Sequence, residues 1–287
     1  MGKATHQCND GGGMVTGKEI RMQRLWKHRR AVFVPYDHGS FGGPQHGIED
    51  LLRLTERIAG TAADGILVSA GVLPRIAPAV GQLGIMARID GGFTRFTGSV
   101  TDYQQFVSVR DALEMGADAT IVFTLVGTAV EAESLRRLGS TAADAHAWGT
   151  PLAAEIIPPS LLNNHFGLQI FPQPREAVDV NDEIAQVIRI GAEAGADIVK
   201  TRFSGNVELF RRAVQACPAK VIVAGGPLSS KADEGVLELA AQCVQAGADG
   251  IIFGRNVWQH PRMEKMIAAL CAIVHEDESV EAAAKLL

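Results

Sequence analysis

The segment Gly195-Ala-Asp-Ile-Val-Lys-Thr-Arg-Phe-Ser-Gly205 holds the residue with the most pointed chemistry in this chain. Ile198 and Val199 are β-formers in a short apolar strand. Lys200 closes that strand, ahead of a loop with Ser204 and Gly205. Lysine is rarely buried without a partner. A lysine ending an apolar strand therefore sits at the mouth of the fold or does chemistry. Desolvation disfavours the ammonium, and a neutral amine attacks carbonyl carbon. The plain alternative is a lysine whose stem lies along the strand while its charge reaches water.

Other reactive side chains fall at comparable points. Asp37 and His38 follow a first strong strand, Ala31 to Tyr36. Arg88 and Asp90 lie near the end of a strand starting at Gly84, and Glu155 lies on one running from Pro151 to Ile157. Two glycine-rich turns, Ala224-Gly-Gly-Pro227 and Gly254-Arg-Asn256, follow the last two strands. There Gly225, Gly226 and Gly254 leave backbone N–H groups open to a phosphate, and Arg255 adds a charge. Plain turn chemistry is the alternative for either turn alone. An electron-withdrawing lysine imine, a carboxylate across the mouth and a phosphate grip together suit carbonyl chemistry on a sugar phosphate. His38 is either a proton relay or a turn-shaping residue. Arg88 either meets substrate oxygens or pairs Asp90 or Glu155.

The elements that must position these residues repeat. Further strands are read at Gly65–Ser69, Ala119–Thr124, Lys220–Ala224 and Gly250–Gly254. Helices are read at 48–58, 103–115, 129–148, 184–194, 207–216, 236–246 and 263–275. Near-continuous apolar runs suit parallel strands buried on both faces. Eight strands alternating with helices over this length predict an α/β fold, a closed (β/α)8 TIM barrel forming a single domain. An open doubly wound sheet is the other candidate, but no dinucleotide glycine fingerprint follows the first strand. Residues 1–13 read as a flexible tail. Residues 14–287 read as the barrel, with a helical cover from Met14 to Arg30 over its floor and a short C-terminal helix from Val280. A long insertion at 158–182 is expected to be a lid or subunit contact anchored by Phe166 and Phe171. Ala-Asp pairs precede the second, fourth, sixth and eighth strands and read as turn punctuation on the floor.

The bulk numbers narrow the classes. A formal charge of -5 on 287 residues disfavours nucleic-acid binding. No apolar run reaches membrane-helix length, and the start lacks the apolar core of a signal peptide. Four cysteines without a CxxC point to a reducing cytoplasm. His146, His165 and His275 have no ligand-like spacing, so no metal is expected, and no organic cofactor.

Five stretches in order resemble one family. They are Gly17-Lys-Glu-Ile-Arg-Met-Gln-Arg-Leu25, Asp37-His-Gly-x-x-x-Gly-Pro44, Gly195-Ala-Asp-Ile-Val-Lys200, Ala224-Gly-Gly-Pro227 and Gly254-Arg-Asn-Val-Trp-Gln-His260. They are similar to the archaeal-type class I fructose-bisphosphate aldolases, a group that includes aminodideoxyheptulosonate synthases and the enzyme that processes phosphorylated autoinducer-2. The resemblance implies a (β/α)8 barrel, commonly a homo-oligomer, acting on a phosphorylated ketose without a metal. It implies that Lys200 forms the Schiff base with Asp37 beside it, and that Gly225, Gly226, Gly254 and Arg255 hold phosphate. Two positions depart. The family's acid/base tyrosine before a proline is Ile157 here, and a lysine after Gly-Gly-Pro is Leu228, with Lys231 further on.

These departures leave three functions open: a Schiff-base aldolase, a ketol or acyl transferase on the same scaffold, and a non-catalytic sugar-phosphate-binding barrel. They also turn attention to Glu155. Strand alternation points it the same way as Ile157, one step deeper. A buried carboxylate has a raised pKa unless paired, which suits an acid/base; the competing role is a counter-ion for Arg88 or Lys200.

Overall fold

The computed structural model describes residues 17–97, 103–167, 178–226 and 233–287. The expected tail at 1–13, and Phe171, Leu228 and Lys231, lie outside them. Eight parallel strands close into a barrel: β1 (Ala31–Pro35), β2 (Gly65–Ser69), β3 (Gly84–Arg88), β4 (Ala119–Phe123), β5 (Leu152–Glu155), β6 (Ile198–Arg202), β7 (Lys220–Ala224) and β8 (Gly250–Ile252). Each pairs with its sequence neighbours, and β1 pairs with β8 through Ala31 and Gly250 to complete the ring. The strands are short, β-branched and apolar, and helices cover their outer faces, so nearly every strand residue is buried.

Alternation sorts the interior into layers. The lower layer is apolar: Phe33, Leu67, Met86, Ile121, Ile198, Ile222 and Ile252 pack together with Leu25, and Met22 and Trp26 close it from below. Leu25 and Met22 belong to the helix Gly17–Leu25, which lies across the floor. Two residues further along the strands, the inward positions change character to Arg88, Glu155 and Lys200. Strand register brings Glu155 opposite Lys200.

The Ala-Asp repeats have a physical role. Each aspartate accepts a backbone N–H from the start of the preceding strand: Val32 to Asp64 at 2.8 Å, Ile85 to Asp118 at 2.9 Å, Leu152 to Asp197 at 2.9 Å and Val221 to Asp249 at 2.9 Å. A cation answers three of them: Arg24 at Asp118, Lys18 at Asp197 and Lys220 at Asp249. At Asp64 two histidines, His28 at 3.1 Å and His275 at 2.8 Å, take that place with their rings stacked. His275 thus has carboxylate and imidazole neighbours that its position in the sequence does not reveal.

Several elements differ from expectation. The strand carrying Lys200 runs on to Arg202, so the lysine is inside the strand rather than at its end. The helix expected from Tyr103 begins at Val109, where Ser108 caps it by accepting the Asp111 N–H. Tertiary partners win over helix formation upstream. The N–H groups of Phe106 and Val107 both bond Ile89 O, and Gln104–Gln105 pairs antiparallel with Asp90–Gly91. No regular helix was expected between β2 and β3; there a 3-10 turn, Ala70–Val72, leads into the helix Leu73–Ile76 and a second 3-10 turn, Ala77–Ala79, the latter two with Pro74 and Pro78 in their first turns. The 158–182 insertion holds a 3-10 turn, Pro159–Leu161, and a helix, Leu162–Phe166. The next helix starts at Val180, earlier than expected, because Asp179 caps it. Among the described residues no helix is long and apolar enough to cross a membrane.

Candidate active site

The C-terminal end of the barrel opens into a cavity of about 640 Å³ with Lys200 on its wall. Lys200 is 5% exposed, and its Nζ lies 2.8 Å from Glu155 Oε1. His165, from the helix in the 158–182 insertion, reaches the same oxygen with Nε2 at 3.2 Å. Arg88 joins three carboxylates. Its Nε donates to Asp37 at 2.5 Å, its Nη1 to Asp90 at 3.2 Å, and its Nη2 to Glu155. The result is a buried charged layer of Asp37, Arg88, Asp90, Glu155 and Lys200 directly above the apolar one.

Burial and charge pull these groups apart. Burial pushes the Glu155 carboxyl up, but Lys200, Arg88 and the His165 contact outweigh it and hold it well below the usual carboxylate range. Asp37 follows the same pattern: burial opposes, Arg88 and Lys200 prevail, and the carboxyl is lowered. Asp90 goes the other way. Burial raises it to about 6 despite Arg88 and the Phe123 N–H that it accepts at 2.7 Å. Burial lowers His38 and His165 to about 4 each, so both are neutral imidazoles near neutral pH. Each leaves a buried Nδ1 without a hydrogen-bond partner, and His38 Nδ1 stands 3.7 Å from Asp37. Because Glu155 is paired, its carboxyl is lowered rather than raised.

The glycine turns and two arginines form a second feature. Gly226 has φ 80°, and a Cβ there would fall 2.5 Å from Arg202 Nη2. A Cβ at Gly254 would fall 2.9 Å from Pro35 O and 3.0 Å from His38. The backbone therefore approaches this corner as only glycine allows. Arg255 donates to His165 O at 3.0 Å, while its Nε and Arg202 Nη1 are buried without a partner. Burial lowers both guanidinium groups, Arg255 to about 10, and the charge of Arg202 adds to the lowering of Arg255. Two cations that make no ion pair among the described residues, beside the backbone of the glycine turns, form a niche for an anion.

The third feature is aromatic. Ile157 is buried in a wall with Phe93, Tyr103, Phe123, Leu125 and Leu162, against which Phe41 and Phe166 pack. Tyr103 stacks on Phe123 at 5.0 Å, and Arg137 holds its carbonyl. Burial raises the phenol well above its ordinary range in the field of Arg88, Asp90 and Glu155, so it stays protonated.

The structure gathers Lys200, Asp37, Glu155, Arg88, His38, Gly225, Gly226, Gly254 and Arg255 around one cavity. His165 and Tyr103 also line it, and Arg202 lies behind it against Gly226; none of the three was singled out as a site residue from sequence. Arg202 lies two residues past Lys200, and strand alternation places it on the same inner face. His165 and Tyr103 come from irregular segments that offer no such period.

The fold is a closed (β/α)8 barrel with a buried lysine and carboxylates at the C-terminal ends of its strands. The chain belongs to the DeoC/LacD aldolase family, whose profile matches residues 31–260. A 2-amino-3,7-dideoxy-D-threo-hept-6-ulosonate synthase of Halobacterium salinarum is 32% identical over 93% of this chain and 95% of its own. A 3-hydroxy-5-phosphonooxypentane-2,4-dione thiolase of Yersinia enterocolitica is 27% identical over 96% of this chain and 88% of its own. An archaeal fructose-1,6-bisphosphate aldolase, solved with its catalytic lysine covalently bound to the carbinolamine intermediate, is 25% identical. It superposes with a TM-score of 0.74 over 89% of this chain and 98% of its own.

Proposed function

We propose that the protein is a class I aldolase that forms a Schiff base between Lys200 and a phosphorylated ketose and makes or breaks a C–C bond. One observation carries this: Lys200 Nζ, 2.8 Å from a deprotonated Glu155, shares a cavity with the Arg255 anion niche. Lys200 releases a proton to solvent, and its neutral amine attacks the ketose carbonyl carbon. The carbinolamine oxygen takes protons and leaves as water, giving an iminium. In cleavage a base removes the β-hydroxyl proton and the C–C bond breaks. Its electron pair enters the iminium, and an aldehyde departs. The enamine is then protonated and hydrolysed. Phosphate in the niche fixes the carbonyl against Lys200.

Two of the similar proteins, the fructose-1,6-bisphosphate aldolase and the 3-hydroxy-5-phosphonooxypentane-2,4-dione thiolase, are named for phosphorylated ketones, which supports this substrate class. Borohydride reduction in the presence of ketose phosphates tests it. The expected result is a mass increment mapping to Lys200 and absent from Lys200→Met. No adduct with any ketose phosphate would sink the proposal. The same experiment separates the roles of Glu155. Glu155→Gln that still traps substrate but loses turnover by on the order of a hundredfold marks a proton carrier; near-normal turnover marks a counter-ion alone.

Ile157 favours a second reading, a ketol or acyl transferase, because the residue at that place is buried apolar wall and supplies no phenol. Strict dependence of product formation on an added acceptor would favour it.

A further inference from the structure

We propose that the second carbonyl compound handled in this cavity, the aldehyde joined to or released from the ketose phosphate, is apolar or aromatic and carries no phosphate. This rests on the Schiff-base reading above and names the other half of its substrate.

The cavity has two unlike ends. One end is the anion niche of Arg255 and the glycine turns, backed by Arg202 against Gly226, which the Schiff-base reading assigns to one phosphate. On the far side of Lys200 the lining is aromatic. Phe166 meets Phe93 at 4.8 Å, Phe123 at 5.2 Å and Phe41 at 5.5 Å between ring centroids, and Tyr103 completes the wall. All five rings line the cavity. Phe106, 72% exposed, also lines it and carries the apolar surface to the outside.

Charge decides what this end accepts. Among the described lining residues the cations are Arg88, Lys200 and Arg255. Arg88 is committed to Asp37, Asp90 and Glu155, and Lys200 to the imine. Arg255 belongs to the niche. A second phosphate would therefore be desolvated against rings, close to three carboxylates, with no uncommitted cation among the described lining residues to pair it. An alkyl or aryl aldehyde instead buries its surface there and meets ring edges and faces. The Tyr103 phenol, held protonated beside the charged layer, is a donor in this wall for the aldehyde oxygen.

The step balances without a redox partner. The enamine carbon attacks the aldehyde carbon and one C–C bond forms. The aldehyde oxygen takes one proton, and the restored iminium is hydrolysed by water to free Lys200.

The test uses the full chain with dihydroxyacetone phosphate as donor and parallel acceptors: phenylacetaldehyde, hexanal, glycolaldehyde and glyceraldehyde 3-phosphate. The expected kcat/KM is roughly tenfold or more higher for phenylacetaldehyde or hexanal than for glyceraldehyde 3-phosphate. Phe166→Ala should erase most of that preference, and Phe166→Arg should turn it toward the phosphorylated aldehyde. In both, borohydride trapping of the donor on Lys200 is measured in parallel, and the preference is read as the ratio between acceptors within one variant, so a loss common to all acceptors does not enter it. An equal or greater rate with glyceraldehyde 3-phosphate overturns the inference, as does a trapped donor that reacts with neither apolar aldehyde, or a preference unchanged in Phe166→Ala. Absence of any donor adduct overturns instead the Schiff-base reading beneath it.

Discussion

Arg88 answers three carboxylates with one guanidinium. Removing it would leave three carboxylates buried, with Lys200 near Asp37 and Glu155 and Arg137 near Asp90 as the remaining cations named beside them. Breaking a buried pair from one side costs about 3–5 kcal/mol. Arg88→Ala is therefore expected to lower unfolding stability by at least that amount in urea titrations. Arg88→Lys should fall between, since one ammonium cannot span a three-way fork. A loss under about 1 kcal/mol in Arg88→Ala would contradict the hub described here. The pairing with Asp90 and Glu155 was among the alternatives legible in the sequence, because alternation fixes which strand residues face inward. The same rule makes Arg202 legible from Lys200. Tyr103 was not legible: its backbone is held by Arg137, a residue far along the chain, against its expected helix.

At the scale of elements, the aspartates on the floor do more than end turns. Each ties the start of one strand to the turn before the next, so a lost carboxylate strands a backbone N–H. Asp118→Ala is expected to cost about 1–3 kcal/mol in urea unfolding, for the Ile85 N–H at 2.9 Å. Asp118→Asn should cost less, because the amide oxygen still accepts and the lost partner, Arg24, is largely exposed. Activity per folded molecule should be unchanged in both, since the cavity lies at the other end. Equal costs for the two variants would mean that charge, not the accepted N–H, is what matters. The repeat and its spacing were plain in the sequence. Its partners were not, because they depend on which strands become neighbours. The strand count was legible for a simpler reason: short β-branched runs between amphipathic helices have few other solutions. The insertion at 158–182 followed no period, so the helix that delivers His165 could not be seen.

For the whole molecule, the buried titratable groups set an acid limit. His38 and His165, lowered to about 4 by burial, bind fewer protons folded than unfolded. Their contribution is lost as pH falls below about 6.5, together about 4 kcal/mol by pH 5. Asp90, raised to about 6, opposes this. Its contribution is full below about 4 and lost as pH rises through about 6, so it returns on the order of 1 kcal/mol by pH 5. Glu155 and Asp37, both lowered, add a further loss once pH falls below about 4. Urea midpoints should therefore drop from pH 7 to pH 5, and His38→Asn with His165→Gln should flatten that slope. An unchanged slope would show that the imidazoles are not what titrates. The ring itself has a consequence for how the protein is made. Ala31 finds its partner only at Gly250, and Trp26 and Trp258 tie the two ends through Asp249 O and Pro35 O. A chain emerging from the ribosome thus carries β1 with one edge unpaired through most of its synthesis, a template for wrong pairing. Until the last strand is released it depends on shielding by chaperones or on speed, and a ribosome that stalls before Gly250 yields an open sheet rather than a smaller barrel.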